Sequence, residues 1–162
     1  MDASYTHVFA RPAQAGEGPI AQLELEITET TVLRHDSQST KALKRLKGAG
    51  VGIAFDDFGT GFASLSLLQK YPLTRLKIDR SFISRIDRKA GDAAIVEAVI
   101  RMATSLRLSV IAEGVENAEQ EAALIELGCL EAQGYRYGRP MPASDIVGRY
   151  LSSPGTSLRS SG

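Results

Sequence analysis

The chain lacks several features that would assign it to a special class of protein. It has no tryptophan in 162 residues. It has one cysteine, so no intramolecular disulfide can form, which is typical of a protein from a reducing compartment. Neither sign of charge is in excess, because 19 Lys and Arg balance 19 Asp and Glu, and this argues against a basic surface for nucleic acid. No apolar run approaches the roughly 18 residues of a membrane span, and the N-terminal stretch does not resemble a secretory signal. We therefore expect a cytoplasmic chain with no membrane span and no DNA partner.

The composition is that of one ordinary globular domain. Apolar residues make up 43% and charged residues 23%, which is enough to build a sizeable core. Prolines and glycines break residues 1–22, which we expect to be a poorly ordered lead-in. The domain itself is expected over residues 23–151, followed by a disordered Ser- and Gly-rich tail over 152–162. Cys129 lies in an apolar stretch, and we interpret it as a small core residue.

Strand and helix patterns alternate five times from Leu23 onward. Strict alternation in Leu23-Glu24-Leu25-Glu26-Ile27 predicts the first strand, with the leucines and the isoleucine facing the helices. Each pattern of this kind is followed by apolar residues at helical spacing, which implies a parallel sheet with right-handed crossovers. Five units are fewer than an eight-stranded barrel needs, so we expect an α/β fold that is an incomplete (β/α) barrel or an open doubly wound sheet. The strands are expected at 23–27, 51–55, 73–79, 109–112 and 129–135.

The central strand ends in Asp56-Asp57-Phe58-Gly59-Thr60-Gly61. Two carboxylates at the carboxyl end of a parallel strand, followed by glycines that let the chain bend, are a common way to present oxygen ligands to a metal ion. The alternative interpretation is a turn whose acids cap the next helix.

Other strands end with similar side chains. Glu26, Asp56, Lys77 and Glu113 fall on the strand faces that point away from the helices, and Gln133 lies near the end of the last strand. In a barrel these groups would converge at one rim, where one or two divalent ions would relieve the repulsion between the acids. Oxygen ligands favour Mg²⁺ or Mn²⁺, and such a site suits hydrolysis of a phosphodiester. Each residue alone also has a simpler explanation, such as a solvated strand end or an ion pair of Lys77 with Asp79.

Five motifs in this order resemble the EAL-domain cyclic di-GMP phosphodiesterases of bacterial signalling. The resemblance implies a TIM-like barrel that hydrolyses cyclic di-GMP to linear pGpG with Mg²⁺ or Mn²⁺, and it implies two ions in an intact domain. The motifs are LELEITE at 23–29, DDFGTG at 56–61, LKIDRSF at 76–82, AEGVE at 112–116 and QGY at 133–135.

The resemblance also implies a role for each matching residue. Lys77 would orient the attacking water, and Glu113 would be the general base. Gln133 and Tyr135 would contact the dinucleotide. The implied metal ligands and their support are Glu26, Asp56, Asp57 and Glu116. The residues that would support the loop are Glu29, Gly59, Thr60, Gly61 and Ser64.

The resemblance is incomplete on its N-terminal side. The Glu-Ala-Leu motif that names the family does not occur in this sequence, nor does the Asn-containing strand that supplies a further ligand. The sequence therefore resembles roughly the C-terminal half of the family domain. It predicts either a phosphodiesterase domain truncated at its N-terminal side, or an inactive fragment that binds cyclic di-GMP or a protein partner. A homodimer or an attached sensor domain would fit either case.

Overall fold

A computed structural model of the chain describes residues 7–10, 23–28, 37–59, 65–142 and 145. Six strands form one sheet in which neighbours in the chain are neighbours in space. The five strands from β2 to β6 are parallel, as the alternation of strands and helices predicts. The strands are β1 His7–Ala10, β2 Leu23–Ile27, β3 Gly52–Phe58, β4 Arg75–Ile78, β5 Ser109–Ala112 and β6 Glu131–Ala132.

Helices connect the parallel strands. Asn117 caps the last of them, since its side chain accepts a hydrogen bond from Gln120 N while the Gln120 side chain accepts one from the backbone N–H of Asn117. One short helix was not predicted, and Asp79 caps it by accepting a hydrogen bond from Ser81 N at 2.9 Å. The helices are α1 Ser37–Gly48, α2 Leu65–Lys70, α3 Arg80–Ile83, α4 Ala90–Ser105 and α5 Ala118–Glu126.

The strand β1 lies inside the expected lead-in, where the sequence predicted no strand. It pairs antiparallel with β2, and Val8 is the register partner of Leu25. The strand has only four residues, and the prolines and glycines that follow it interrupt any pattern that would extend it. The expected tail over 152–162 lies outside the described residues.

The strand β3 contains an irregularity that the sequence did not predict. Phe55 pairs with Leu76 and Phe58 pairs with Ile78, so two residues of β3 stand opposite the single Lys77 of β4. The two acids are therefore part of a bulged strand, whereas we expected the strand to end before them. Because of the extra residue, Phe58 returns to the core side and meets the Phe55 ring edge-on at 6.1 Å.

The core lies between the sheet and the helices. Ile53, Phe55 and Leu76 are fully buried on the helix-facing side, together with Val96 from α4. Cys129 is 3% exposed, which confirms that it is a small core residue. Among the described helices, none combines the length and the apolar character that a membrane crossing requires. The other face of the sheet carries charged residues, and these form the candidate site.

Candidate metal centre

The ammonium group of Lys77 lies among three carboxylates that come from different parts of the chain. Its Nζ forms an ion pair with Glu26 of β2, and it is 3.0 Å from Asp56 Oδ1 and 2.7 Å from Glu113 Oε1. The Lys77 side chain is only 5% exposed. We call these four residues, Glu26, Asp56, Lys77 and Glu113, the lysine cluster.

Strand alternation and register together produce this cluster. Lys77 is paired in register with Ile111, two residues before Glu113, while Glu26 is paired with Ala54, two residues before Asp56. Residues two apart in a strand point to the same face, so all four side chains extend from the face opposite the core. Glu113 directly follows β5 and is tied to β4, since its backbone N–H donates to Ile78 O at 3.1 Å.

A second set of acids overlaps with the cluster. Asp56, Asp57 and Glu113 each offer a carboxylate oxygen, and these three oxygens lie within 4.8 Å of one another. The bulge in β3 makes this possible, and Asp57 adopts a left-handed backbone with φ of 54°. Three carboxylates at this separation fit a hard divalent cation, because oxygen ligands of this kind bind Mg²⁺, Mn²⁺ or Ca²⁺.

The electrostatics favour a bound cation. Burial raises the pKa of Glu26 and Glu113 above the ordinary range, although the ammonium of Lys77 acts in the opposite direction. Burial and the neighbouring Asp56 likewise raise the pKa of Asp57. The pKa of Lys77 is also raised, because its hydrogen bonds to Glu113 and Glu26 outweigh the burial that lowers it. Among the described residues, the one ammonium of Lys77 faces three carboxylates, so these oxygen ligands fit a divalent metal ion.

Gln133 is attached to the cluster through Glu113. Its Nε2 donates to Glu113 Oε1 at 2.5 Å. The loops around it are joined by backbone bonds, since Val115 N donates to Gln133 O and Arg136 N donates to Val115 O. This close approach requires glycine at position 134, where an added Cβ would lie 2.2 Å from Val115 O. The loop that carries Gln133 is therefore held at a fixed distance from Glu113.

The remaining predicted residues lie away from the cluster or outside the description. Glu116 is near Arg80, with 3.8 Å between Oε1 and Nη2, and it is not one of the three converging carboxylates. Tyr135 is 54% exposed and lines a cavity beside Gln133. Gly59 lies against the ring of Phe82. The residues that fall outside the described part of the chain are Glu29, Thr60, Gly61 and Ser64.

A second charged group on the same face was not predicted. Arg75 Nε is 3.0 Å from Glu24 Oε2, and Arg75 Nη1 is 2.5 Å from Glu131 Oε2. We call Glu24, Arg75 and Glu131 the arginine triad. Its signal was present in the sequence, since Glu24 and Arg75 each lie two residues before a member of the lysine cluster. Gly52 provides the space, because a Cβ there would lie 3.3 Å from Glu24 Oε2.

Comparison with known proteins is consistent with this site. A family model described as EAL domain matches residues 2–140, a match that includes β1. Among similar proteins, the bifunctional diguanylate cyclase/cyclic di-GMP phosphodiesterase MucR of Pseudomonas aeruginosa is 45% identical over 127 residues. The match covers 78% of this chain but only 18% of MucR.

Solved structures give the same answer for the fold. The MucR phosphodiesterase in complex with c-di-GMP superposes with a TM-score of 0.71 and 45% identity, covering 78% of this chain and 51% of that chain. The manganese/cyclic di-GMP complex of Klebsiella pneumoniae BlrP1 gives 0.69 and 37%, covering 75% of this chain and 31% of that one. BlrP1 was also solved with calcium and the dinucleotide. These neighbours confirm the predicted α/β fold related to a TIM barrel. The chain spans about half the length of the solved MucR chain. The chain belongs to the EAL domain family.

Proposed function

We propose that this chain forms the metal-binding and water-activating part of a cyclic di-GMP phosphodiesterase domain, which hydrolyses cyclic di-GMP to linear pGpG. The observation that carries the proposal is the convergence of Glu26, Asp56 and Glu113 on the one ammonium of Lys77. The names of relatives such as MucR support the choice of substrate.

The acids of the site would hold one or two divalent ions. Glu26, Asp56 and Asp57 would be the ligands, and Glu116 would support them from a greater distance. Manganese and calcium accompany the dinucleotide in the BlrP1 complexes, which supports a divalent ion here, and we propose Mg²⁺ or Mn²⁺ as the working metal. Such ions, when bound, neutralise phosphate charge and make a water molecule more acidic.

Lys77 would position the reacting groups. Its raised pKa keeps the ammonium protonated at neutral pH, so that Nζ donates hydrogen bonds and accepts none. Its three carboxylate partners hold Nζ in one place, at the face where Glu113 lies. From this position Nζ would orient the attacking water or a phosphate oxygen.

Glu113 is the group that we assign to accept the proton of the water. Burial raises its pKa and makes it a stronger base than an exposed glutamate. Lys77 Nζ and Gln133 Nε2 both donate to Oε1, so we assign the proton to the other oxygen, Oε2. The hydrogen bond from Gln133 would keep the carboxylate in the orientation that this transfer requires.

Turnover of cyclic di-GMP with Mn²⁺ tests the proposal. We expect the wild-type chain to release pGpG, and the Asp56→Asn chain to lose at least a hundredfold in rate because a central ligand is gone. Glu24→Gln is the matched control, since it also removes one carboxylate from the same face but belongs to the arginine triad. We expect this control to keep most of the rate.

The same samples separate the proposal from its alternative. Binding of cyclic di-GMP without turnover, equal in wild type and Asp56→Asn, would contradict catalysis and favour an inactive binding fragment. Equal turnover in both chains would contradict the assignment of Asp56. A homodimer or a regulatory sensor domain remains a prediction, and mass measurement in solution with and without the dinucleotide tests the dimer.

A further inference from the structure

A cavity of about 550 Å³ opens beside the lysine cluster. Gln133 lines the cavity and also donates a hydrogen bond to Glu113, so the cavity is adjacent to the lysine cluster. Its wall continues through Tyr135, Arg139, Pro140 and Met141. A mostly apolar and aromatic wall with a few polar groups is typical of a site for a flat organic ring.

Arg139 is the one described lining residue of this cavity with a charged side chain. Its guanidinium carbon lies 4.5 Å from the centroid of the Tyr135 ring. This separation is typical of a cation–π contact, which limits the directions that the guanidinium can take. Within the described part of the chain Arg139 forms no ion pair with an acid, in contrast to Arg136, whose Nε lies 3.2 Å from Glu121 Oε2. The hydrogen-bond donors of Arg139 are therefore available to a ligand.

We propose that Arg139, held by Tyr135, recognises a guanine base of the dinucleotide in this cavity. The proposal rests on the proposed function, because the base belongs to a substrate whose phosphate lies at the lysine cluster. Gln133 links the lysine cluster to the cavity, because it donates a hydrogen bond to Glu113 and also lines the cavity. A substrate with its phosphate at Glu113 would place an attached base in this cavity.

The chemistry of the guanidinium favours guanine over adenine. The O6 and N7 atoms of guanine are two adjacent acceptors that match the two parallel donors of an arginine. Adenine offers an acceptor at N7 but a donor at N6, so one of the two hydrogen bonds is lost and a donor faces a donor. A phosphate would also accept hydrogen bonds from Arg139. The apolar wall around Arg139 nevertheless fits a base better than a phosphate, because a charged phosphate would lose its hydration there.

Binding of two dinucleotides to the 162-residue chain tests this inference. Dissociation constants for cyclic di-GMP and cyclic di-AMP are measured by calorimetry with Ca²⁺ present, for the wild type, Arg139→Met, Arg139→Lys and Arg136→Met. Methionine keeps an apolar stem without donors, and lysine keeps the charge without the paired donors. Arg136→Met is the matched control, since it removes an arginine three residues away that does not line the cavity. Thermal unfolding checks that each variant is folded.

We expect the wild type to prefer cyclic di-GMP, and Arg139→Met to reduce that preference by roughly tenfold to a hundredfold. Arg139→Lys should lose most of the preference too, while Arg136→Met should keep it. If Arg139→Met weakens both dinucleotides equally, the side chain binds phosphate and the assignment to guanine is wrong. An unchanged preference in Arg139→Met also overturns the inference. If the wild type binds neither dinucleotide, the proposed function itself fails, and base recognition fails with it.

Discussion

The lysine cluster and the arginine triad lie on the same face of the same strands, but their charges are balanced differently. Lys77 contacts three acids, and Asp57 lies beside them as a fourth. Within the described residues Arg75 contacts two acids, and one of these, Glu131, has a half-exposed side chain. Among the described residues, one ammonium in the cluster faces three carboxylates whose side chains are at most 17% exposed, whereas water can screen the excess charge in the triad. From this difference we expect the cluster to bind cations and the triad to tie strands together.

The largest effect is expected from Lys77→Met. Removing the ammonium leaves three poorly exposed carboxylates without a partner, and the loss of one partner of a buried ion pair costs about 3–5 kcal/mol in the free energy of unfolding. Urea unfolding in EDTA measures this loss. Mn²⁺ should restore much of the stability, because an ion that binds only the folded chain replaces the missing positive charge.

The matched control for this variant is Lys44→Met, which removes an exposed lysine from α1. It should unfold like the wild type with and without Mn²⁺. A Lys77→Met chain as stable as the wild type in EDTA would contradict the view that Lys77 neutralises the cluster.

Arg75→Met is the corresponding change in the triad. We expect it to lower the free energy of unfolding by about 1–3 kcal/mol, less than Lys77→Met, because Glu131 can turn toward water. Mn²⁺ should not restore this loss, since the two remaining acids come from opposite sides of Arg75. Urea unfolding with and without Mn²⁺ gives the comparison. Recovery by Mn²⁺ equal to that of Lys77→Met would remove the distinction between the two groups.

Asp56→Asn should separate metal binding from folding. We expect its affinity for Mn²⁺ to fall at least tenfold, while the free energy of unfolding in EDTA changes by less than about 1 kcal/mol, since Lys77 keeps two other partners. Glu24→Gln changes the triad instead and should leave the Mn²⁺ affinity as it is. Titration calorimetry with Mn²⁺ measures both. Equal losses in the two variants would show that the metal does not distinguish the cluster from the triad.

Gly52→Ala is expected to have the smallest effect and to act on the triad alone. The added methyl would lie 3.3 Å from Glu24 Oε2, which is the end of a flexible side chain that can shift by a few tenths of an ångström. A loss of about 1 kcal/mol or less in the free energy of unfolding is expected, with no change in the Mn²⁺ affinity. A fall in Mn²⁺ affinity would show that the two groups are coupled through the sheet.

Much of the candidate site could be predicted because strands obey a simple alternation. The positions of Glu26, Lys77 and Glu113 follow from the side-chain period of two and the meeting of parallel strands at their carboxyl ends. The same rule applied to Glu24 and Arg75 would have predicted part of the triad. Glu131 was harder to place, since β6 is only two residues long and shows no alternation of its own.

Other features could not be predicted from a local pattern. The bulge at Asp56 and Asp57 depends on how β3 pairs with β4, so it is a property of two strands rather than one. The strand β1 pairs along β2, a contact between two segments that no pattern within residues 7–10 predicts. The cavity beside Gln133 depends on the contact of Gly134 with Val115, which joins loops nearly twenty residues apart.

The sequence by itself determined which side chains face the core and which face the opposite side, because alternation is a local property of the backbone. It also determined the family, through motifs that keep their order and spacing. Only the tertiary structure decided which charges meet: that Lys77 contacts three acids while Arg75 contacts two, and that Asp57 joins Asp56 and Glu113. The physical reason is that strand register and the bulge are set by pairing between distant segments, and electrostatic energy depends on the resulting distances.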